Sequence, residues 1–416
     1  MSLRTLSTSR RAAVLALVLG GLLSGLFFAS KSGNNPDVYG NDFSVYYHAA
    51  REMIDGRNPY ERSIGDWTPY IYPPLLAELL VPLALLPLPV AAYIWFLINA
   101  VSIVLAAFLS VSLLGKDEQE VAQESRPSHA GIWREAIAVG AVLLVFRFVL
   151  DTFNLGQVNA LICALAVAHI YLYRRRRVLS AIVLAIAISI KLTPALLLVY
   201  HLAKMRLKFA IACAGILVAV TIASLLPFGS RGADVFQMFV HRTLRNEQGY
   251  DFSDSGNQSV RGAVARLDIG NTETKSSEDA RNNVDWVTVI GSVALLSLAA
   301  FAARRGRNEL AAAAPFFCGF VLLSPLSWKA HYVVLIPAAV HLLYEGAVSY
   351  KRAIALAAYL IAFVLFNFTS PRIVGLTLAE WADEHSLVLV GALVVFIVCV
   401  LLNFSVSRKD AKKTLV

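Results

Sequence analysis

The stretch VNALICALAVAHIYLYRRRRVLSAIVLAIAISIKLTPALLLVYHLA, residues 158–203, decides how the chain is read. Two apolar runs, 158–173 and 178–190, flank the four arginines Arg174 to Arg177, and a third run, 192–203, follows Lys191. Runs of this kind approach the length a helix needs to cross a bilayer core of roughly 30 Å. A block of cations between two of them marks a loop held on the cytoplasmic side. Lys191 then falls at the opposite end of the hairpin, where topology gives no reason for a cation.

The same pattern extends in both directions. Apolar runs near 12–30, 89–114, 136–150, 209–227, 286–303, 310–325, 331–344, 353–369 and 386–404 bring the expected total to about twelve spans, all helical, with both ends inside. The first is read as an uncleaved helix, being long for a signal peptide. The inner segments hold most of the 37 lysines and arginines, among them Lys204/Arg206/Lys208, Arg304/Arg305/Arg307 and the cytoplasmic tail 405–416. Residues 74–88 are proline-broken at Pro82 and Pro87, and counting them as a span would put Arg174 to Arg177 outside. They are read as a half-helix that starts and ends on the outer side.

Composition agrees. Of 416 residues 57% are hydrophobic and 16% charged, with a mean hydropathy of +0.63; soluble domains are roughly 45–50% apolar and about 25% charged. A soluble enzyme and a disordered chain are excluded. The net charge of +9 follows from topology and implies no nucleic-acid partner; membrane lipids are the expected surroundings. Cys163, Cys213, Cys318 and Cys399 sit inside apolar runs without metal-ligand spacing, so neither a disulfide framework nor a metal site is expected, and no cofactor.

The chain reads as one domain over 1–416, with two long outer loops, 31–73 and 228–285, covering an outward site. The large inner loop, 115–135, carries no GxGxxG or Walker motif, so an activated substrate would have to arrive outside on a lipid. In the first outer loop, Phe43, Tyr46, Tyr47, Ala50, Met53 and Ile54 fall at helical spacing, which predicts an interfacial amphipathic helix over 43–55. Asp42 stands at its start, where it serves as a helix cap, as a general base at the membrane boundary, or as both. Trp67, Tyr70 and Tyr72 read as an aromatic belt or as rings lining a sugar site. Glu78, in the half-helix, needs a partner or a cavity. Arg147 and Asp151 are spaced as an i,i+4 pair. Asn154, Gln157 and Asn159 cluster at a helix start, where amides satisfy broken backbone or bind hydroxyls. Lys191 at the outer end of a helix could snorkel to the headgroups, but beside Pro194 it reads as a cation at the rim of a cavity. The second loop carries Arg242, Arg245 and Arg261, the last in GNQSVRG, and otherwise reads as solvated and flexible. Ser327, Trp328, Lys329 and His331 form an outer turn.

An outward carboxylate, several outward cations and no metal cluster suit transfer of a sugar from a polyprenyl phosphate. The attacking hydroxyl is helped by a base, and the leaving phosphate needs charge compensation rather than an acid.

At these residues the sequence resembles glycosyltransferase family 87. The blocks are DFSVYYHAAREMIDGRNPY, YIYPPLLAELLVPLALLPL, NLGQVNALI, IKLTPALLLVY, NQSVRG and SPLSWKAHYVVLIP, in order over roughly residues 40–340. The resemblance implies a GT-C fold and transfer of a hexose, mannose above all, from a polyprenyl-phosphate sugar to a lipid or glycan acceptor. The reaction would run with inversion on the periplasmic or outer face of the plasma membrane. It implies that Asp42 is the catalytic base and His331 a functional histidine. It places Lys191, Arg261 and Lys329 near the donor phosphate, and Gln157, Asn159 and Tyr72 are added as donor-binding candidates. The last block departs at Ala330, where a second histidine is expected. A lipid-linked glycan flippase is the alternative from another class, but it should show internal repeat symmetry, and none is evident. An O-antigen-ligase-like oligosaccharide transferase is separated only by the Asp42 block.

Overall fold

The computed structural model describes residues 24–26, 42–61, 63–64, 68–114, 130–244, 251–269 and 277–404. Nearly all of the first expected span, Trp67, Arg245, most of the inner loop 115–135 and the tail 405–416 lie outside them.

Helix α1 (Asp42–Ile54) is followed by a minimal antiparallel hairpin, β1 (Ser63–Ile64) with β2 (Thr68–Pro69), then α2 (Pro74–Ala84) and α3 (Leu88–Ser112). Next come α4 (Ala130–Leu144), α5 (Phe146–Leu155), α6 (Asn159–Tyr173), α7 (Arg177–Ile190), α8 (Leu196–Ala203) and α9 (Leu207–Ala223). The second half holds α10 (Gly232–Phe239), α11 (Val260–Ile269), α12 (Ser277–Arg305), α13 (Glu309–Leu322) and α14 (Ile336–Val348). It ends with α15 (Arg352–Asn367), α16 (Pro371–Val374), α17 (Leu376–Glu384) and α18 (Leu387–Asn403).

All fourteen residues of α13, ELAAAAPFFCGFVL, are buried. Its alanines and Gly319 let α8, α12, α14 and α18 approach closely around it. By contrast, Val287, Val289, Ile290 and Val293 of α12 are exposed, as a lipid-facing helix requires. Among the described residues, three helices are long and apolar enough to cross a membrane, Leu88–Ser112, Val284–Arg305 and Lys329–Val348, or six if three bent pairs each count as one span. Helices of 14–17 residues such as α6, α7, α13 and α15 are about 21–26 Å long, short of a full crossing if taken alone.

Three expectations change. The helix predicted to lie on the membrane surface is packed into the protein: α1 rests on α2, and Phe43, Tyr46, Ala49 and Ala50 are buried. Its aromatic side is a core face because α2 is there to receive it. Arg147 does not close onto Asp151. Its Nη1 donates to Thr369 Oγ1 at 2.7 Å, and its backbone N–H to Asn367 Oδ1 at 3.2 Å. Asn367 Nδ2 in turn donates to Leu144 O at 3.0 Å, so one amide satisfies both sides of the 64° break between α4 and α5. The second outer loop is largely ordered where described: Leu226–Thr243 is helical, bent 73° from α9, and α11 packs on α12. Within 74–88, α2 is eleven residues and about 16 Å long, too short to cross a bilayer core of roughly 30 Å.

Candidate active site

The site lies where four breaks in helical structure meet. The first is the turn between α5 and α6. Gly156 ends α5 in the left-handed conformation (φ 67°), and a Cβ there would stand 2.5 Å from Phe43 Cβ. Only glycine permits this approach, and it carries Gln157 over the start of α1. Trp95 Nε1 donates to Gly156 O at 2.7 Å and pins the turn. The second break is at Lys191. Pro194 cannot continue the helical ladder, α7 stops at Ile190, and Lys191 takes an extended backbone that frees its side chain from the helix surface. The third is the start of α1, which places Asp42 in a first helical turn. The fourth is the 3₁₀ turn Lys329–Leu335, which carries His331.

A single hydrogen-bonded chain links all four. Gln157 Nε2 donates to Asp42 Oδ2 at 2.5 Å, and Asn159 Nδ2 donates to Gln157 Oε1 at 3.0 Å. Lys191 Nζ donates to Asn159 Oδ1 at 2.7 Å and lies 3.3 Å from His331 Nε2. The order of donors is forced: an ammonium has no acceptor, so Asn159 must present its oxygen to Lys191 and its nitrogen to Gln157. Gln157 then has only its own nitrogen left for Asp42. Tyr72 sits beside this chain, its hydroxyl 3.5 Å from Gln157 Oε1 and its ring 5.6 Å from Lys191 Nζ. Tyr46 donates to the Tyr72 hydroxyl at 2.9 Å.

Among the described residues neither charge is cancelled by an ion pair. Asp42 meets an amide, and Lys191 meets an amide, an imidazole and a ring face. Burial raises the Asp42 carboxyl to about pH 6, with the Gln157 hydrogen bond and the Lys191 charge pulling the other way. A carboxylate poised near neutrality is matched to proton abstraction.

Six of the eight expected site residues are therefore brought together: Asp42, Tyr72, Gln157, Asn159, Lys191 and His331. The other two are engaged elsewhere. Arg261 pairs with Asp285 at 2.6 Å and lies 3.8 Å from the Phe252 ring centroid. Lys329, two residues before His331, is paired with Asp383 of α17. Grouping by side of the membrane does not separate cations already neutralised from those that are not. No group of three or more His, Cys, Asp or Glu side chains suited to a metal occurs among the described residues.

A helical membrane protein with a half-buried carboxylate beside a cation that no ion pair cancels among the described residues is the class defined by this fold and site. The chain belongs to glycosyltransferase family 87, whose model matches residues 70–325. That segment includes Tyr72, Gln157, Asn159, Lys191 and Arg261, and is flanked by Asp42 and His331. One relative is a polyprenol-phosphate-mannose-dependent alpha-(1-2)-phosphatidylinositol mannoside mannosyltransferase of Mycobacterium tuberculosis. It is 28% identical over 371 residues, 86% of this chain and 82% of the relative. A pentamannoside mannosyltransferase of the same species is 28% identical over 340 residues, 80% and 72% of the two chains. A phosphatidylinositol mannoside mannosyltransferase of Mycolicibacterium smegmatis is 26% identical over 331 residues, 76% and 71%.

Proposed function

We propose that this glycosyltransferase transfers mannose from a polyprenyl-phosphate sugar to a hydroxyl of a lipid or glycan acceptor, with inversion, at the outer face of the plasma membrane. One observation carries the reading: Asp42 and Lys191 share a hydrogen-bonded network without neutralising each other in a direct pair. Asp42 takes the proton of the acceptor hydroxyl as its oxygen attacks the anomeric carbon. The bond from that carbon to the phosphate oxygen breaks, and the donor phosphodiester leaves as a polyprenyl monoester. The leaving group gains charge as it departs, and Lys191 supplies the compensation. His331 and Asn159 hold that ammonium, and Gln157 holds the base. The donor and the phosphoinositide-type acceptor follow the relatives' activities. The outward orientation is supported by the α6–α7 hairpin, which has Asn159 and Lys191 at one end and Arg174 to Arg177 at the other.

The test is transfer by the purified protein in lipid nanodiscs, with polyprenyl-phosphate mannose and a phosphatidylinositol mannoside acceptor. Product should form without any nucleotide sugar, and Asp42→Asn should lower turnover about 10²–10⁴-fold. Near wild-type turnover in that variant removes the base assignment; transfer from a nucleotide sugar alone removes the donor.

A further inference from the structure

Helix α17, LTLAEWADE, and the histidine after it divide their side chains among three faces. Ala379, Ala382 and Asp383 fall at helical spacing on one, Leu378, Trp381 and His385 on a second, and Thr377, Glu380 and Glu384 on a third. The first is turned to the protein: Ala379 and Ala382 are buried, Asp383 pairs with Lys329, and Gln258 Nε2 donates to Asp383 O at 2.9 Å. The residues of the other two faces are exposed. One of these faces is apolar and aromatic, the Trp381 and His385 rings stacking at 4.4 Å. The other carries two acids. Leu376, in the first turn, is the one apolar residue outside this division.

At nine residues α17 is about 14 Å long, and it does not continue the span beside it, being bent 53° from α18. The backbone at its two ends fixes that direction. Gly375 before it and Ser386 after it have φ of 81° and 57°, a sign uncommon for a serine, and Arg266 Nη2 donates to Ser386 Oγ at 2.6 Å. The segment joins the ends of two apolar helices packed together, α15 and α18, so it lies at the membrane boundary. α18, directly after it, exposes Val390, Ile397 and Leu401, as a lipid-facing helix does. A helix with one side on protein, one apolar and one acidic fits a surface that is oily below and aqueous above, and tryptophan is suited to that level.

We infer that α17 lies in the headgroup layer of the bilayer on the side of the candidate site, with Leu378 and Trp381 among lipid and Glu380 and Glu384 in water. The interfacial role expected of residues 43–55 falls to this helix instead. Its consequence for the site runs through Asp383. That carboxylate holds Lys329, two residues before His331 in one 3₁₀ turn, so the bilayer fixes the height at which the turn meets a lipid-borne phosphate. This second half rests on the proposed function; the lipid seat does not.

The experiment is spin-label accessibility in phosphatidylcholine nanodiscs, with Leu378→Cys, Glu380→Cys, Trp381→Cys and Glu384→Cys made singly. The four native cysteines are buried, and unsubstituted protein gives the background. Oxygen, which concentrates in lipid, should relax the labels at 378 and 381 more than a water-soluble nickel chelate does, and the order should reverse at 380 and 384. Labels relaxed mainly by nickel at all four sites would put α17 in water. Labels at 378 and 381 shielded from both reagents would put a second copy or another protein over that face. Either result overturns the inference. For the site, Leu378→Glu combined with Trp381→Glu should lower turnover about tenfold or more with a long-chain donor held in the bilayer, and much less with a short-chain donor dissolved in water. Glu380→Gln should change neither. Equal losses with both donors, or unchanged turnover, overturn the link to the site. Wild-type protein that transfers sugar from neither donor removes the proposed function, and the labels still decide the seat.

Discussion

The two ends of the α6–α7 hairpin use the same kinds of side chain for opposite purposes. At the end near Arg174, the buried carboxylate of Glu309 is saturated. Arg206 grips both of its oxygens, at 2.7 and 3.0 Å, Arg174 reaches it at 3.2 Å, and Tyr200 donates to it as well. Every lone pair has a donor and the charge is cancelled within the cluster, as a buried ion needs for stability. At the other end, Asp42 has an amide and Lys191 has an amide and an imidazole. Neutral partners hold these charges in place without consuming them. A carboxylate and a cation that are to stay available to a substrate have to be built this way.

Exchanging each acid for its amide breaks the comparison most directly. Asp42→Asn should remove about 10²–10⁴-fold of turnover and leave the melting temperature nearly unchanged. Glu309→Gln should do the reverse: turnover per folded molecule within about twofold, with stability lowered by about 3–5 kcal/mol because Arg206 loses its buried partner. Parallel thermal unfolding and transfer assays separate the two, and equal activity losses would erase the distinction.

Lys191→Met comes next. Loss of charge compensation at a leaving phosphate should cost about 10²–10³-fold in kcat, with a smaller change in donor KM. Lys204, a cation of the opposite end that donates to Ala303 O, is the control, and Lys204→Met should leave kcat within about twofold.

The smallest effect sharpens the comparison through pH. With Asp42 acting as the carboxylate and Lys191 as the ammonium, kcat/KM should fall tenfold per unit below about 6 and fall again above about 7, where burial has lowered the Lys191 ammonium. The Gln157 hydrogen bond lowers the Asp42 pKa. Gln157→Leu should therefore move the acid-side inflection to higher pH, with a modest loss at the maximum. A shift to lower pH, or none, would mean that Gln157 does not touch the base in the working enzyme.

Much of the site was legible before any coordinates, and the reason is cost. In a chain with so few charges, Lys191 beside a helix break is expensive to place and stood out, whereas Asp42 read equally as a helix cap and gained the base role from the family resemblance. Gln157 and Asn159 are conspicuous in the sequence as polar groups at a helix start, yet whether they bind substrate hydroxyls or orient charges depends on what faces them. Arg261 and Lys329 looked equivalent to Lys191 because side of the membrane was the only coordinate the chain supplied; Asp285 and Asp383, 24 and 54 positions further on, neutralise them. Arg147 showed the same limit, since the spacing to Asp151 was helical while Thr369 lay 222 positions away. Asn257, whose side chain donates to Pro325 O and accepts from the Ser327 N–H, left no signal beyond a polar motif followed by glycine.

By itself, then, the amino-acid order determined a helical membrane protein, the hairpin with its basic turn, and the short roster of residues able to carry chemistry. Those follow from hydrophobic run length and from the cost of charge in an apolar medium, both local properties of the chain. Only the tertiary structure decided which charges are cancelled and which remain, because cancellation is a matter of a few ångströms between residues from two dozen to more than a hundred positions apart.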